Sequence, residues 1–176
     1  MNDLVLSNKK AVVLLKKSES LLNVTRNILK PSDDQWADFL LRWFKENIEQ
    51  ESSQYPKSKK DLLKITTLYL RWNRLQEVPK ELFNLKQLEI LELNNNSLSF
   101  LPKELGCLKR LRILNLNINN LTKLPAEIVN LNRLELINIK NNKRLELSTE
   151  QIDWLNELYR NGCTVTYDKY KFMLGE

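Results

Sequence analysis

A 23-residue repeat in the middle of the chain constrains the fold more than any other feature. Three successive copies begin at Ile65, Leu88 and Leu111, and nine positions carry matching residue types in all three. Seven of these positions are aliphatic, one is asparagine and one is proline. In the first copy they are Ile65, Leu68, Leu70, Asn73, Leu75, Val78, Pro79, Leu82 and Leu85. A period of this length predicts a solenoid, in which stacked copies bury a shared core that no single copy could form.

The ends of the array differ from its middle. A fourth copy starts at Leu134 and keeps Asn142, but it then slips by one residue at Arg144 and lacks the proline. A half-copy precedes the first, since Leu62 lies 23 residues before Leu85. We therefore predict an array of about four copies, with altered copies at both ends.

Each copy has the pattern of a short strand followed by a return segment. Leu91 and Leu93 alternate with Glu92, which is the two-residue period of a strand with one buried face. The proline that follows, Pro102 in the second copy, suits the start of a helical turn, where its missing N–H is not needed. The copies are thus predicted to form a parallel sheet with short helical or 3-10 returns.

The pattern resembles the leucine-rich repeat family in its 23-residue form, LxxLxLxxNxLxxLPxxLxxL. The chain shows it as LEILELNNNSLSFLPKELGCL and as LRILNLNINNLTKLPAEIVNL. Stand-alone bacterial repeat proteins and eukaryotic intracellular scaffolds share this LP variant. The resemblance implies an α/β solenoid whose parallel sheet lines a concave face. It also implies that the asparagine column turns inward and bonds the backbone of its own and adjacent turns; this column is Asn73, Asn96, Asn119 and Asn142.

We assign residues 61–147 to the array and predict a C-terminal cap at residues 148–176, because repeat arrays need polar caps at their open ends. Ser148 with Gln151 forms a capping box, and the helix that it starts is followed by a short strand in CTVTY. Tyr170, Phe172 and Met173 lie in the last residues. We expect this tail to fold back, and contact with a partner is the alternative.

Residues 1–60 are predicted to be an N-terminal helical cap. One helix is expected at about residues 9–30, and a second follows the capping box of Ser32 and Gln35. The second helix carries apolar residues at helical spacing, namely Trp36, Phe39, Leu40, Trp43, Phe44 and Ile48. This aromatic face either seals the first copy or forms a groove for a partner. Residues 52–61 are expected to be a linker into the array.

Family geometry places positions three, five and seven of each copy on the concave face and position eight near the sheet edge. Ile90, Ile113 and Leu136 occupy position three, and contiguous exposed apolar surface usually marks an interaction site. The first copy also clusters Tyr, Trp and Arg, the residue types enriched at binding hot spots. The candidate partner-binding residues are Tyr69, Arg71, Trp72, Arg74, Ile90, Glu92, Ile113, Asn115, Leu136, Asn138 and Lys140. Alternatively, Tyr69 and Trp72 pack against the N-terminal helices.

The composition argues against catalysis. The chain has no histidine, which removes the usual general base and the commonest metal ligand. Three glycines could not build a phosphate-binding loop, and Cys107 and Cys163 lack the spacing of a zinc site. We therefore expect no enzyme activity, no cofactor and no metal. Each cysteine is predicted to lie in a small apolar slot rather than in a disulfide.

Charge and hydropathy bear on partners and location. The formal net charge of +6 is spread evenly along the chain, whereas nucleic-acid proteins usually concentrate basic residues on one stripe. No apolar run is long enough to span a bilayer, and the N-terminus lacks the pattern of a secretory signal. These features predict a cytoplasmic protein without a membrane partner, and secretion as an effector stays open.

We thus predict a non-enzymatic protein–protein interaction module that uses its concave face. The partner's identity is not readable from the sequence, because a repeat specifies a scaffold rather than a function. Two alternatives stay open: a self-associating structural protein and, less favoured, a basic nucleic-acid-binding protein. A monomer or a weak homodimer is expected.

Overall fold

The structure is a computed structural model that describes residues 35–48 and 56–168 of the chain. The helix predicted at residues 9–30, the capping box at Ser32 and the tail beyond residue 168 lie outside the described residues.

Short strands alternate with short helices through most of the described chain. Helix α1 spans Gln35–Asn47, α2 spans Lys59–Leu62 and α3 spans Thr149–Arg160. The strands are β1 Thr67–Tyr69, β2 Ile90–Glu92, β3 Ile113–Asn115, β4 Leu136–Asn138 and β5 Thr164–Thr166. Three 3-10 helices, Lys80–Asn84, Lys103–Cys107 and Ala126–Asn130, connect β1 to β4.

All five strands form one parallel sheet in the order of the sequence. The register places the same position of every copy side by side, so that Thr67, Ile90, Ile113, Leu136 and Thr164 form one row across the sheet. The predicted α/β solenoid of parallel strands with 3-10 returns is confirmed.

The repeated aliphatic residues build the core. The middle residue of each of the first four strands is buried, as in Leu91 and Leu114, while its two neighbours lie on the opposite face. Leu88, Leu105 and Leu111 are fully buried in the same core. Burial of one such side chain contributes roughly 2 kcal/mol. The regular spacing of leucine therefore accounts for the stacking.

The inward asparagine column connects each copy to the one before it, as the resemblance implied. The side-chain oxygen of Asn96 accepts hydrogen bonds from the backbone N–H groups of Asn73 and Leu75 at 3.1 and 3.0 Å. Its side-chain nitrogen donates to the carbonyl oxygens of Leu70 and Leu93 at 2.7 and 2.9 Å. The column thus satisfies backbone groups that the tight bend leaves unpaired.

Two further asparagines repeat this arrangement one and two copies later. Asn119 accepts from the N–H of Leu98, and Asn142 accepts from the N–H of Leu121. Both also donate to carbonyl groups of their own copy and of the preceding copy.

One glycine permits close packing of two 3-10 helices. A Cβ atom added at Gly106 would lie 2.2 Å from the carbonyl oxygen of Glu127. A non-bonded carbon and oxygen atom do not approach this closely in proteins. The second and third 3-10 helices can therefore pack together only because position 106 has no side chain.

Side-chain hydrogen bonds and one buried leucine close the C-terminal end of the array. The capping box of Ser148 and Gln151 is confirmed, and the Gln151 side-chain nitrogen also donates to the carbonyl oxygens of Leu124 and Pro125. Leu145 is buried after the one-residue slip. The Asp168 carboxylate accepts from the backbone N–H of Asn141 at 2.9 Å.

Helix α1 packs on the repeat core and belongs to the compact unit that begins at Trp36. Ala37, Leu40 and Phe44 are buried, whereas Phe39 is 46% exposed. The prediction that Phe39 belongs to the apolar face of this helix is therefore wrong. Phe39 immediately precedes Leu40, so the helical turn carries its ring away from the buried face.

Two other sequence predictions are corrected. Part of the expected linker at residues 52–61 is helix α2, which begins after Ser58 because its hydroxyl accepts from the N–H of Asp61. Cys107 is exposed at the end of a 3-10 helix, so the predicted apolar slot is wrong for this residue. Cys163 is buried, and this burial raises the pKa of its thiol.

Candidate protein-binding face

The candidate site is the face of the sheet opposite the core, which we call the exposed sheet face. It consists of positions three and five of each copy, which flank the buried middle residue of each strand, and of position seven, which follows two residues after position five. Position three carries Ile90, Ile113 and Leu136, and all three are half-buried rather than fully exposed. These aliphatic side chains form a row because their strands pair in register.

On this face, residues of the first two copies contact Arg71 and orient its side chain. The guanidinium of Arg71 lies 3.3 Å from a carboxylate oxygen of Glu92 on the next strand. It also lies 5.4 Å from the centre of the Tyr69 ring, within the range of a cation–π contact. Because Glu92 compensates its charge, Arg71 presents a flat, oriented surface rather than a free cation. The Tyr69 ring itself remains 47% exposed.

Position eight of every copy has a left-handed backbone. The φ angles are 64° at Trp72, 56° at Asn95, 52° at Ile118 and 59° at Asn141. Asparagine tolerates this conformation, whereas bulky and β-branched residues adopt it rarely. Trp72 and Ile118 are nevertheless exposed, at 68% and 45%. The turn therefore projects two large apolar side chains into solvent at the edge of the sheet.

Asparagine amides cover the centre of the exposed sheet face. The side-chain oxygen of Asn115 accepts from the N–H of Asn117, and that of Asn138 accepts from the N–H of Lys140. The side-chain oxygen of Asn117 accepts from the side-chain nitrogen of Asn141. These bonds fix the orientation of the amides on the surface.

One margin of the face carries an ion cluster. Arg112 pairs with Glu135 through two hydrogen bonds of 2.7 and 2.9 Å and lies 3.7 Å from Glu89. The hydrogen bonds from Arg112 lower the pKa of the Glu135 carboxyl. Because all three side chains are substantially exposed, the cluster contributes little to stability.

A cavity of about 750 Å³ lies at the opposite margin, between the end of α1 and the turns of the first two copies. Trp43, Arg74, Glu77 and Phe100 are among its lining residues. Arg74 also has a left-handed backbone, with φ of 54°. The cavity therefore adjoins the turn that presents Trp72.

The eleven residues predicted from the sequence lie on this face or at its strand-exit margin. Tyr69, Glu92, Asn115 and Asn138 form one row, and Ile90, Ile113 and Leu136 form the row beside it. Trp72 and Arg74 follow β1 in the left-handed turn. Sequence reasoning missed Ile118, although its position-eight alignment with Trp72 could have indicated it.

Comparison with known proteins agrees with this architecture. A sequence profile described as Leucine rich repeat matches residues 64–121. Among solved structures, a leucine-rich repeat protein of Leptospira interrogans aligns with 35% sequence identity and a TM-score of 0.51. The repeats at residues 64–121 therefore match the leucine-rich repeat family. The alignment covers 63% of this chain and 27% of the Leptospira protein, so the chain spans about a quarter of that structure's length. The search of curated protein sequences found no match to this chain.

Leucine-rich repeat domains generally mediate protein–protein interaction. Within the described residues, no helix has the length and apolar character needed to cross a membrane. The same part of the chain contains no group of three or more histidine, cysteine, aspartate or glutamate residues that could hold a metal ion.

Proposed function

We propose that this leucine-rich repeat protein binds a protein partner through the exposed sheet face and its strand-exit margin, without catalysing a reaction. The observation that carries the proposal is the exposure of Trp72 and Ile118 on a left-handed turn. Asparagine occupies the same position in the other two copies and suits this conformation.

A left-handed backbone costs an ordinary residue about 1–2 kcal/mol. Burial in the core cannot offset this cost for Trp72 and Ile118, because both are exposed and neither belongs to the buried core. Strained positions of this kind cluster where a protein binds or switches. The apolar side chains therefore support a role in recognition.

The surroundings of Trp72 have the character of a binding hot spot. Tyr69 and Arg71 stack against one another, and Glu92 orients the guanidinium. Tyrosine, tryptophan and arginine are the residues most enriched at such centres. The half-buried aliphatic row extends this surface across the next three strands.

We place the protein in a reducing compartment, the cytoplasm, because both described cysteines are free thiols.

The test replaces Trp72 and Ile118 together by asparagine, the residue that the other copies carry. Proteins that co-purify with the unmodified protein should be identified, produced separately and then measured for direct binding. We expect at least tenfold weaker binding by the double variant, since losing a hot-spot residue costs about 2 kcal/mol or more.

Tyr159→Asn is the matched control, because Tyr159 is 67% exposed on α3, away from this face. Equal binding by the unmodified protein, the control and the double variant would refute the proposal. Sedimentation of each protein alone shows whether the partner is instead a second copy of this chain, the self-association alternative.

A further inference from the structure

The asparagine amides of the exposed sheet face have a consistent hydrogen-bonding polarity. Each amide can offer one acceptor oxygen and one donor nitrogen. The acceptor oxygens of Asn115 and Asn138 are used by backbone N–H groups of their own copies, and that of Asn117 is used by Asn141. The oxygen of Asn94 is buried without a hydrogen-bond partner.

The nitrogen atoms of the same four amides remain available. Within the described residues, none of them makes a hydrogen bond, and none belongs to the buried atoms that lack a partner, so all four reach solvent. We call these residues, with Lys140, the amide strip; it comprises Asn94, Asn115, Asn117, Asn138 and Lys140. The strip offers donors to a partner, because the oxygens of Asn115, Asn117 and Asn138 are already engaged and that of Asn94 is buried.

Charge on the face points the same way. Glu92 is the one carboxylate at positions five and seven of the four copies, and Arg71 engages it. Lys140 forms no ion pair within the part of the chain that the structure describes. A surface that has accessible N–H groups and one uncompensated cation is complementary to carboxylates.

We propose that the partner segment that docks on the exposed sheet face is an acidic peptide with interspersed apolar residues. This inference rests on the proposed function. The carboxylates of the peptide accept hydrogen bonds from the amide strip. Its apolar side chains lie on the adjacent row of Ile90, Ile113 and Leu136, which shares the register of the strip.

A nucleic acid is the competing ligand, because phosphate groups are acceptors as well. Binding to a phosphate backbone depends on several lysine and arginine contacts. The strip has one free cation, Lys140, and lies beside aliphatic side chains instead of a basic groove. The composition of the face therefore favours the acidic peptide.

The test selects ligands from a random-peptide display library against the full chain. Asn138→Asp reverses the polarity of one strip residue, because one oxygen still accepts from the N–H of Lys140 while the donor nitrogen is lost. Asn132→Asp is the matched control, since it adds the same charge at an exposed position outside the sheet. Ile113→Asp disables the aliphatic row and identifies peptides that depend on the face.

We expect the selected, face-dependent peptides to be enriched in aspartate and glutamate. Asn138→Asp should weaken their binding about tenfold or more, the order expected for a lost charge-assisted hydrogen bond and a new repulsion. Asn132→Asp should leave their binding unchanged, and thermal melts of each variant verify that it folds.

The outcomes separate the two proposals. Face-dependent peptides without acidic enrichment, or equal binding by Asn138→Asp, would overturn the acidic-peptide inference and leave the proposed function standing. Binding of single-stranded polyuridylate that Asn138→Asp abolishes would overturn it in favour of nucleic acid. If no selected peptide depends on Ile113, the proposed function fails and the inference fails with it.

Discussion

The carboxylate of Asp168 accepts a hydrogen bond from the backbone N–H of Asn141 at a distance of 2.9 Å. In earlier copies the equivalent N–H donates to a backbone carbonyl of the following copy, as Ile118 does to Lys140 and Asn95 to Asn117. A side chain therefore substitutes for the main chain where no further copy follows. This substitution satisfies the last left-handed turn of the array.

Removing this carboxylate should weaken the C-terminal end. We expect Asp168→Ala to lower the free energy of unfolding by about 1 kcal/mol, the usual contribution of one hydrogen bond. Asp168→Asn should cost less, because its amide oxygen can still accept. Urea unfolding measures both changes. Unaltered stability of the alanine variant would show that solvent replaces the carboxylate without cost.

The buried asparagine column should be far more sensitive than the surface amides. Asn119→Ala removes contacts to the N–H of Leu98 and to two leucine carbonyls, and leaving such groups unsatisfied costs about 1–3 kcal/mol each. We expect a loss of at least about 3 kcal/mol in chemical denaturation. Asn117→Ala, two residues earlier on the surface, should stay within about 0.5 kcal/mol of the unmodified protein.

Gly106 should tolerate no side chain. Gly106→Ala would place a methyl group 2.2 Å from the carbonyl oxygen of Glu127, so the third 3-10 helix must move. We expect a loss of about 3 kcal/mol, at the upper end of overpacking effects. Gly162→Ala is the control, because Gly162 has φ of 89° but no neighbour within 4 Å. Its cost should be about 1 kcal/mol from backbone strain alone, and equal costs would contradict the packing explanation.

Binding and stability should respond in opposite directions at position eight. Trp72→Asn and Ile118→Asn each place asparagine, which tolerates a left-handed backbone, where the present residue is strained. Each substitution should therefore raise the free energy of unfolding by about 1 kcal/mol. Asn95→Ile should lower it by a similar amount. Thermal melts test these changes without knowledge of the partner. A loss of stability in Trp72→Asn would mean that the indole makes folding contacts worth more than the strain.

The two cysteines should differ in reactivity. Iodoacetamide should modify Cys107 quickly because its side chain is exposed, while Cys163 should react only when the C-terminal part opens. Burial raises the pKa of the Cys163 thiol from its ordinary value, so the folded state favours the neutral thiol. This contribution to stability is complete at neutral pH and is lost as pH rises above about 9. Cys163→Ser should remove that alkaline loss.

The parallel sheet was predictable from the sequence because residues one repeat period apart are the residues that pair between neighbouring strands. A leucine every 23 residues, as at Leu68, Leu91 and Leu114, requires that each strand stack on its predecessor. The capping box of Ser148 and Gln151 was equally readable, since a local hydrogen-bond pattern needs only sequence spacing.

The finer features of the site depend on conformation rather than residue type. Nothing in the letters around Trp72 indicates a positive φ, because the turn that imposes it is set by the neighbouring copies. The polarity of Asn115 depends on which backbone N–H its oxygen meets. The role of Asp168 could not be predicted from the sequence, because its contact with Asn141 requires β5 to be in register first.

The asparagine column also gives the array a direction of unravelling. Asn142 holds the N–H of Leu121, and Asn119 holds the N–H of Leu98, so each copy is secured by the one that follows it. Loss of the last copy would therefore release the turn before it, and fraying would spread toward the N-terminus. Loss of the first copy would deprive the Asn96 side chain of its two N–H donors, but the acceptor contacts of Asn119 and Asn142 would remain. Amide exchange in truncated chains should consequently be asymmetric, with protection lost progressively from the C-terminal side.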